Sequence, residues 1–567
     1  MGADGGLPGL DVLLGLAGEI EKLVQQAIAA AQEAGELPAF DVPQLVVERP
    51  QREEHGDYAA TAGLQLAGVA RMPPLRIAEI VASRLPDSEF ISQVEVARPG
   101  FINFRLDEGW LARQVDEILG AGEGYGKLTL GRGQKVQVEY VSANPTGPLH
   151  VGSGRNAAIG DSLANVLEAA GYEVQREFYI NDAGTQMRVF SESLYARYAQ
   201  ALGRDMPIPD GGYAGAYVTE MGDEVASQEG SRYLDMPRDE AVDALYDAGR
   251  EKMLASMRDD LSLMGVRYDR WFSERSLYQD GLFDKVKTFL EARGYIAHRD
   301  GAVWFTSSEL GDDKDNVLVR SDGEPGYLAS DIAYHYDKFI LRGFDRVIDV
   351  WGADHHGHVP RMKAAMKAIG VDPERLVLLL YQLVTLRRGG EIVRLSKRTG
   401  DIITLREVLK EIGPDAVRFL LLARAADSQM DLDLDLAKEQ SSENPVYYVQ
   451  YAHARIVSIT RHAGHIDFTD GDVSLLVQPA ELTLIRHMLR LPEVVEKAAT
   501  GLSPHHLPYY ALELAGAFHP FYKQCRVVSS LPEDVPLNKA RLKLVAAAQI
   551  VLARVLALMG VSAPESM

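Results

Sequence analysis

The chain has 567 residues, of which 46% are hydrophobic and 25% charged, a composition typical of a soluble globular protein with three or four domains. A single cysteine, Cys525, excludes an intrachain disulfide and a cysteine zinc cluster and favours a reducing cytoplasm. The formal net charge of −22 argues against a nucleic-acid partner, although a local basic face can outweigh a global sum. No apolar run approaches the roughly 18 residues of a membrane span. Asp4 and Asp11 precede the short apolar stretch 12–17, so we predict no signal peptide.

The first segment, residues 1–113, is predicted to be an α+β domain. A helix is expected over 11–34, followed by mixed strands and helices. The run Gly100–Leu106 has the apolar pattern of a partly buried strand. A glycine-rich stretch, 120–133, follows and is predicted to be a linker.

Residues 114–436 have the pattern of an α/β domain. A strand leads through a loop into a helix that begins near Gly154, and a second strand follows directly, which implies a parallel sheet. Two later apolar runs are predicted to be buried strands in the second half of a Rossmann-like, doubly wound parallel sheet. The predicted strands cover 135–141, 173–180, 346–350 and 376–386. The stretch from about 190 to 300 is predicted to be a largely helical insertion between the two halves.

Residues 437–567 are predicted to be an all-α bundle, because helical periodicity covers most of their length. The expected helices span 446–463, 480–500, 508–529 and 538–559.

The loop after the first strand of the sheet is the first candidate site. It reads Ala143-Asn-Pro-Thr-Gly-Pro-Leu-His-Val-Gly-Ser153 and leads to a helix N-terminus, where open α/β sheets bind ligands and phosphate is favoured. Gly152 leaves space for a flat base to approach the backbone, and His150 can donate a hydrogen bond to a phosphate oxygen. On spacing alone, an equally good interpretation is a tight loop whose histidine is hydrogen-bonded within the protein.

A basic segment, Arg394-Leu-Ser-Lys-Arg398, is the second candidate site. Release of pyrophosphate needs a cation near the β- and γ-phosphates, and Lys397 is the predicted one. Taken alone, a basic loop is more often a solvated surface, so this hypothesis depends on the first site.

Three histidines, His355, His356 and His358, follow a predicted buried strand. Their spacing has no matching set of acidic or cysteine ligands, so we predict no protein metal site. The stretch Gly120–Thr129 superficially resembles a phosphate-binding P-loop. It has Leu128 where serine or threonine is required, so we exclude this possibility.

The two candidate sites together resemble the signatures of class I aminoacyl-tRNA synthetases, in the form found in the arginyl family. The run Val138-Glu-Tyr-Val-Ser-Ala-Asn-Pro-Thr-Gly-Pro-Leu-His-Val-Gly152 is far more selective than the short His-Ile-Gly-His signature. The basic segment resembles the mobile Lys-Met-Ser-Lys-Ser loop of the class. This sequence departs from the family at Ser153, where a second histidine is usual, and at Arg394, where a lysine is usual. Arg155 is expected to compensate for the charge that Ser153 lacks.

The resemblance implies that the chain activates L-arginine with ATP and transfers it to tRNA(Arg), with Mg²⁺ bound to the ATP phosphates. The residues implied to be catalytic are His150, Gly152, Ser153 and Lys397. Those implied to bind ATP are Pro145, Gly147, His150, Gly152, Ser153, Gly352, Asp354, Ser396 and Lys397.

The resemblance also implies an arginine pocket. Arginine is always charged and presents a planar fork of donors, so its pocket should offer carboxylates. Glu139 lies in a strand predicted to be buried, where an unpaired carboxylate is costly and a cationic ligand would neutralise it. The alternative is an internal salt bridge. The residues implied to bind arginine are Glu139, Asn144, His150, Tyr327, Asp331 and His355.

Both flanking domains resemble those with which the arginyl family binds tRNA. The residues implied to contact tRNA are Tyr58, Tyr451, His453, Arg455 and Met567. A mixture of aromatic and basic groups suits base stacking and phosphate contact, although on bare helices such residues are more often packing or surface. We expect a cytoplasmic monomer. The remaining alternatives are another class I synthetase, such as the cysteinyl one, and a catalytically silent paralogue that only binds tRNA.

Overall fold

The computed structural model describes residues 15–393, 403–464 and 466–567. These residues form an N-terminal α+β domain, a central α/β domain and a C-terminal helical domain.

The N-terminal domain is a four-stranded antiparallel sheet with helices. Its strands are β1 (Val47–Glu48), β2 (Tyr58–Ala60), β3 (Ile91–Ala97) and β4 (Phe101–Leu106), and its helices are α1 (Leu16–Glu33), α2 (Ala62–Ala70), α3 (Pro74–Ser83) and α4 (Glu108–Ala121). The strand order is β1–β2–β4–β3. Helix α1 buries Ile20, Val24 and Ile28, which recur at helical spacing and give it one apolar face. The predicted strand before Leu106 is confirmed.

The central domain contains the elements that carry the candidate site. Its strands are β5 (Lys135–Glu139), β6 (Glu173–Ile180), β7 (Arg270–Ser273), β8 (Ile296–Arg299), β9 (Ala302–Phe305), β10 (Asn316–Val319), β11 (Arg346–Gly352), β12 (Leu376–Tyr381), β13 (Val384–Arg388), β14 (Glu391–Ile392) and β15 (Met430–Asp433). Its helices are α5 (Val151–Ala169), α6 (Thr185–Ala201), α7 (Ala216–Glu229), α8 (Arg238–Leu263), α9 (Glu274–Gln279), α10 (Leu282–Ala292), α11 (Tyr327–Tyr336), α12 (Val359–Ile369), α13 (Leu405–Ile412) and α14 (Pro414–Leu422).

The core of this domain is a parallel sheet in the order β12–β11–β5–β6–β7. The chain runs outward from β5 through β6 and β7, and then returns to the other side of β5 to form β11 and β12. The strand order therefore reverses between β5 and β11, which is where a doubly wound sheet opens a crevice for ligands. The predicted doubly wound fold is confirmed.

Two predicted segments differ from the structure. The run 376–386 is two strands, β12 and β13, which belong to different sheets. Strand β7 of the core sheet lies within the stretch predicted to be a helical insertion, because its four residues, Arg-Trp-Phe-Ser, are too short to give a strand pattern. The helices between β6 and β7 are α6, α7 and α8, and β8, β9 and β10 form a small antiparallel sheet.

The C-terminal domain consists of α15 (Pro445–Ala463), α16 (Pro479–Met488), α17 (Leu491–Thr500), α18 (His506–Gln524) and α19 (Val535–Met559). The helix predicted over 480–500 is two helices, because Pro492 in the first turn of α17 cannot continue a preceding helix. No uninterrupted apolar run of that length was expected, but within the described part of the chain one helical stretch, Pro532–Met559, is long and apolar enough on average to cross a membrane. It is 61% buried in its most apolar window and packs against α4, α15 and α18, as a core helix does.

Candidate active site and tRNA-facing surface

The loop that follows β5 begins with two residues in the left-handed region. Val141 has φ +69° and Ser142 has φ +28°, conformations that are strained for a residue with a side chain and unusual for valine. Asn156 on α5 holds this turn, since its Oδ1 accepts from Val141 N at 2.8 Å and its Nδ2 donates to Val350 O at 2.9 Å. One buried amide therefore joins the ends of β5 and β11 at the switch point. Asn156 could not be predicted as a site residue from the sequence, because a buried asparagine in a helix has no pattern of its own.

His150 is the N-cap of α5. Its Nδ1 accepts hydrogen bonds from Gly152 N at 3.0 Å and Ser153 N at 3.4 Å. A neutral imidazole that accepts at Nδ1 carries its proton on Nε2, so the ring presents a donor at the positive end of the helix dipole. This geometry suits a phosphate oxygen.

Gly152 is required by the position of His150 itself. A Cβ at Gly152 would lie 2.8 Å from Cε1 and 3.0 Å from Nδ1 of His150, so any side chain would displace the ring. A Cβ at Gly147 would lie 3.2 Å from the hydroxyl oxygen of Tyr217 on α7. That hydroxyl donates to Thr146 O at 2.7 Å. The helical insertion thus supports the loop directly.

Replacing Gly152 by alanine is expected to move His150 away from its capping position. The capping energy of about 1 kcal/mol would be lost, and the imidazole donor would no longer be aimed at the crevice. We expect the rate of ATP–pyrophosphate exchange to fall about tenfold or more, because the reacting groups lose their orientation. A Gly154→Ala variant is a poor control, since its Cβ would lie 2.7 Å from Leu405. Gly120→Ala, which meets nothing within 4 Å, is the suitable control. Unchanged exchange in Gly152→Ala would contradict this role.

Arg155 does not compensate for Ser153, so that expectation is wrong. Its guanidinium is fully buried and donates to Gln382 O at 2.7 Å and to Ala425 O at 2.8 Å. It ties α5 to the segments after β12 and α14.

The basic loop 394–398 lies outside the described residues, and with it the predicted roles of Ser396 and Lys397. The chain on its C-terminal side reaches the first site, since Thr404 forms an antiparallel bridge with His150 and Leu405 N donates to Leu149 O at 2.7 Å.

The end of β11 carries the predicted nucleotide residues Gly352 and Asp354. A Cβ at Gly352 would lie 2.4 Å from Oδ1 of Asp354, so glycine leaves room for that carboxylate, which is 81% exposed. His355 is also exposed, and its ring lies 5.9 Å from that of Trp351. Within residues 15–393, 403–464 and 466–567, no group of three or more His, Cys, Asp or Glu residues is arranged to hold a metal ion.

Glu139 has a protein cation as its partner, so the argument that a ligand must neutralise it is wrong. Lys338 Nζ lies 2.5 Å from Oε2 of Glu139, and Ser142 Oγ donates to Oε1 at 2.8 Å. Both carboxylate oxygens are therefore occupied within the protein, as the internal salt bridge considered for the sequence requires.

Asp331 and Tyr327 lie one turn apart on α11. Tyr327 is 78% exposed, whereas burial raises the pKa of Asp331, an effect that His335 and Arg361 partly oppose. The backbone carbonyl of Asp331 accepts from Nδ1 of His335 at 2.8 Å, and the other ring nitrogen of His335 lies 2.9 Å from Asp349. His335 on α11 thus links Asp331 to Asp349 on β11.

Two polar groups near Asp331 were missed by the sequence analysis. Burial, together with the charges of Asp331 and Asp182, raises the pKa of Glu274 to about 7, although a hydrogen bond from Ser330 partly opposes the shift. In the described part of the chain, neither Oε2 of Glu274 nor the hydroxyl of Tyr179 has a hydrogen-bond partner, although both atoms are buried. Buried polar atoms without partners are rare and indicate a place for a polar ligand or water. No motif surrounds Glu274, so only the fold brings it to Asp331.

Tyr58 is fully buried between the N-terminal and C-terminal domains, so its predicted contact with tRNA is wrong. Its hydroxyl donates to Glu493 on α17 and accepts from Arg49, and Arg49 Nε also lies 2.9 Å from Glu493. This side chain joins two domains.

Replacing Tyr58 by phenylalanine is expected to lower the free energy of unfolding by about 1.5–3 kcal/mol, because a buried hydrogen bond to a charged group is lost. Urea denaturation would measure this loss, and the affinity for tRNA should be unchanged. Weaker tRNA binding with normal stability would instead restore the original prediction. Tyr295→Phe, at a partly buried tyrosine next to β8 in the central domain, is the matched control.

The remaining residues predicted to contact tRNA lie in the C-terminal domain, and they differ in their exposure to solvent. His453 is buried, and its Nδ1 donates to Pro564 O at 2.9 Å, so it holds the C-terminal segment rather than facing solvent. Arg455 lies over the rings of Tyr451 and Tyr522, 5.2 and 5.1 Å from their centroids. Met567 is 55% exposed. The predicted residues Tyr451 and Arg455 therefore form a half-exposed aromatic and basic face suited to bases. This face also includes Tyr522, which was not predicted from the sequence.

Comparison with known proteins agrees with this architecture. The profile of the class I (R) tRNA synthetase catalytic domain matches residues 114–456, that of the arginyl tRNA synthetase N-terminal domain matches 18–106, and that of the DALR anticodon binding domain matches 449–567. An arginine–tRNA ligase of Dehalococcoides mccartyi is 53% identical over 98% of this chain and all of its own. One from Carboxydothermus hydrogenoformans is 50% identical over 95% of this chain and 97% of its own. The structure of Thermus thermophilus arginyl-tRNA synthetase superposes with a TM-score of 0.76 at 25% identity, over 97% of this chain and all of that one.

The domain with the doubly wound parallel sheet, and with the signature loop where its strand order reverses, is thus the catalytic domain of a class I tRNA synthetase. Since all three domain profiles match and the relatives span the full chain, it belongs to the arginyl-tRNA synthetase family. The resemblance found in the sequence is confirmed, and the alternative of another family in the class is wrong.

Proposed function

We propose that this chain is an arginine–tRNA ligase that forms arginyl adenylate from L-arginine and ATP and transfers the arginyl group to tRNA(Arg). The observation that carries the proposal is the arrangement at the switch point. A capped helix N-terminus suited to phosphate follows β5, and two buried, electrostatically coupled carboxylates suited to a guanidinium, Asp331 on α11 and Glu274 at the end of β7, belong to the same domain. The named relatives at 50% and 53% identity support it.

ATP would bind along the carboxyl edge of the sheet. His150 and the first amides of α5 would meet the phosphates, Asp354 would accept from a ribose hydroxyl, and Lys397 would meet the leaving pyrophosphate. Pro145, Gly147 and Gly352 would shape the surface against the nucleotide.

Mg²⁺ would enter on the ATP phosphates, because no group of protein ligands in the described residues is arranged to hold it. When bound, it neutralises phosphate charge.

The guanidinium would lie between Asp331 and Glu274, with Tyr327 closing the exposed side and the hydroxyl of Tyr179 nearby. Two carboxylates around a planar fork are the favoured geometry for arginine. Glu139, already paired with Lys338, would supply hydrogen-bond acceptance rather than net charge. Asn144 and His355 would meet the α-amino and carboxylate end.

In the first step, the arginine carboxylate attacks the α-phosphorus of ATP and pyrophosphate leaves. In the second, the 2′-hydroxyl of the terminal adenosine attacks the adenylate carbonyl, its proton passes to solvent, and AMP leaves. The chain's side chains hold and orient the reactants, and none of them is proposed as a nucleophile.

ATP–pyrophosphate exchange tests the proposal directly. We expect exchange with arginine that requires tRNA. Exchange with another amino acid would contradict the specificity. No exchange under any condition, with tRNA still bound, would select the silent paralogue.

The exposed face of Arg455, Tyr451 and Tyr522, with Met567, is our proposed contact for the tRNA. Because each contact between a cation and a phosphate releases counterions, binding through this face should weaken with salt in proportion to the number of such contacts. We further propose that the protein acts as a cytoplasmic monomer, which sedimentation at working concentration would test.

A further inference from the structure

Three carboxylates lie side by side beneath the arginine pocket. Glu139 on β5 is directly opposite Glu177 on β6 and Asp349 on β11 in the register of the parallel sheet. Neighbouring strands are only about 4.8 Å apart, so these three groups point to one face at close range. Glu177 and Asp349 are fully buried, and Glu139 is 6% exposed. Without cations they would repel one another strongly, because the surrounding dielectric is low.

One lysine joins two of these carboxylates. Lys338 is fully buried, and its Nζ lies 2.5 Å from Glu139 and 2.9 Å from Asp349. It also lies 4.0 Å from the ring centroid of Tyr334, whose hydroxyl donates to Glu177 at 2.6 Å. Burial alone would lower the pKa of Lys338, but Asp349 and Glu139 outweigh that effect and raise it, so the ammonium stays charged.

Lys338 belongs to the same helical segment as Tyr327 and Asp331, which are proposed to bind the substrate arginine. It lies in a π-helical turn, Asp337–Leu341, that continues directly from α11. Such turns are uncommon and occur often at functional sites. His335, one turn earlier, bonds both Asp349 and the carbonyl of Asp331. Lys338 and His335 therefore fix the height and rotation of α11 over β5 and β11.

From this geometry we propose that Lys338 is a positioning residue that sets the arginine pocket. It holds Glu139 as an oriented acceptor and fixes Asp331 relative to the loop after β5. The inference rests on the proposed function, since it concerns the amino-acid half of the same site. The side-chain partners of Lys338 given above, Glu139, Asp349 and Tyr334, lie outside the phosphate half at the start of α5.

The test is Lys338→Met, assayed in the full-length protein by tRNA-dependent exchange. Methionine keeps the volume but leaves Glu139 without its cation. We expect KM for arginine to rise about tenfold or more, as for loss of one partner in a buried charged pair, while KM for ATP stays within about twofold. The matched control is Arg342→Met, because Arg342 pairs with Glu177 and Asp337 and does not reach Glu139. It should lower the thermal midpoint without changing KM for arginine.

A second variant separates positioning from mere stability. Lys338→Met combined with Glu139→Gln removes the unpaired charge, and Asp349 keeps His335. We expect KM for arginine in this double variant to fall back toward the wild-type value, or at least well below that of Lys338→Met. Normal KM for arginine in Lys338→Met, or equal rises for arginine and ATP, would overturn the inference. If Lys338→Met does not fold, a double variant whose KM for arginine exceeds that of Glu139→Gln alone supports the inference, and an equal value overturns it. Failure of the wild-type protein to exchange arginine would instead overturn the proposed function.

Discussion

Replacing His150 by serine is expected to lower kcat for adenylate formation about 100- to 1,000-fold, the usual cost of losing one donor to developing phosphate charge. Serine is a good N-cap, so the variant keeps α5 capped while the reach of the imidazole is lost. KM for ATP should change little, because the donor acts mainly as charge builds toward the transition state. Pyrophosphate exchange at saturating tRNA and arginine measures the effect.

The control is His150→Ala, which removes both functions of the side chain. It should show a similar loss of kcat together with a loss of stability of about 1 kcal/mol. If the serine variant were instead nearly as active as the wild-type protein, the histidine would serve only as a cap, and the proposed phosphate contact would be wrong.

The sheet and its signature loop could be predicted because their signals are local. Strand 173–180 follows from a continuous run and is β6 in the structure. The loop from Asn144 to His150 lies between a strand and a helix in the sequence, and therefore also in space. Short segments gave weaker signals. Strand β7 has only four residues, and its apolar content is shared with many helices.

Contacts between distant segments could not be predicted from one sequence. Glu139 and Lys338 are 199 positions apart, so nothing in the pattern around Glu139 shows that it has a partner. Tyr58 is likewise buried by Glu493, which is 435 positions away. In both cases the chemistry of the residue was recognised, but its role depends on the tertiary neighbour. Such roles need the fold, since burial and pairing decide whether a charge or hydroxyl is available to a ligand.

Replacing Glu274 by glutamine is expected to weaken arginine binding about 30-fold or more at pH 8. This is the usual cost of removing one member of a buried charged pair. The effect should depend on pH in a defined direction. The pKa of Glu274 is raised to about 7, so in the free protein this carboxyl is protonated below pH 7 and ionised above it. A guanidinium needs the ionised form. In the wild-type protein, KM for arginine should therefore be lowest above pH 7 and rise about tenfold per pH unit below it.

The Glu274→Gln variant should lose this pH dependence of KM for arginine. The Asp331→Asn variant should bind arginine more weakly at every pH, but its KM should still depend on pH. The same shift acts on stability in the absence of arginine. Because the folded-state pKa of Glu274 lies above its ordinary value of 4.5, folding favours the protonated form. The resulting stability is complete below about pH 4.5 and is lost as the pH rises through 7. Ligand-free Glu274→Gln should thus be more stable than the wild-type protein at pH 8, relative to their difference at pH 4.5. A variant that bound arginine normally at pH 8 would show that Glu274 faces away from the guanidinium, and the pocket would then depend on Asp331 alone.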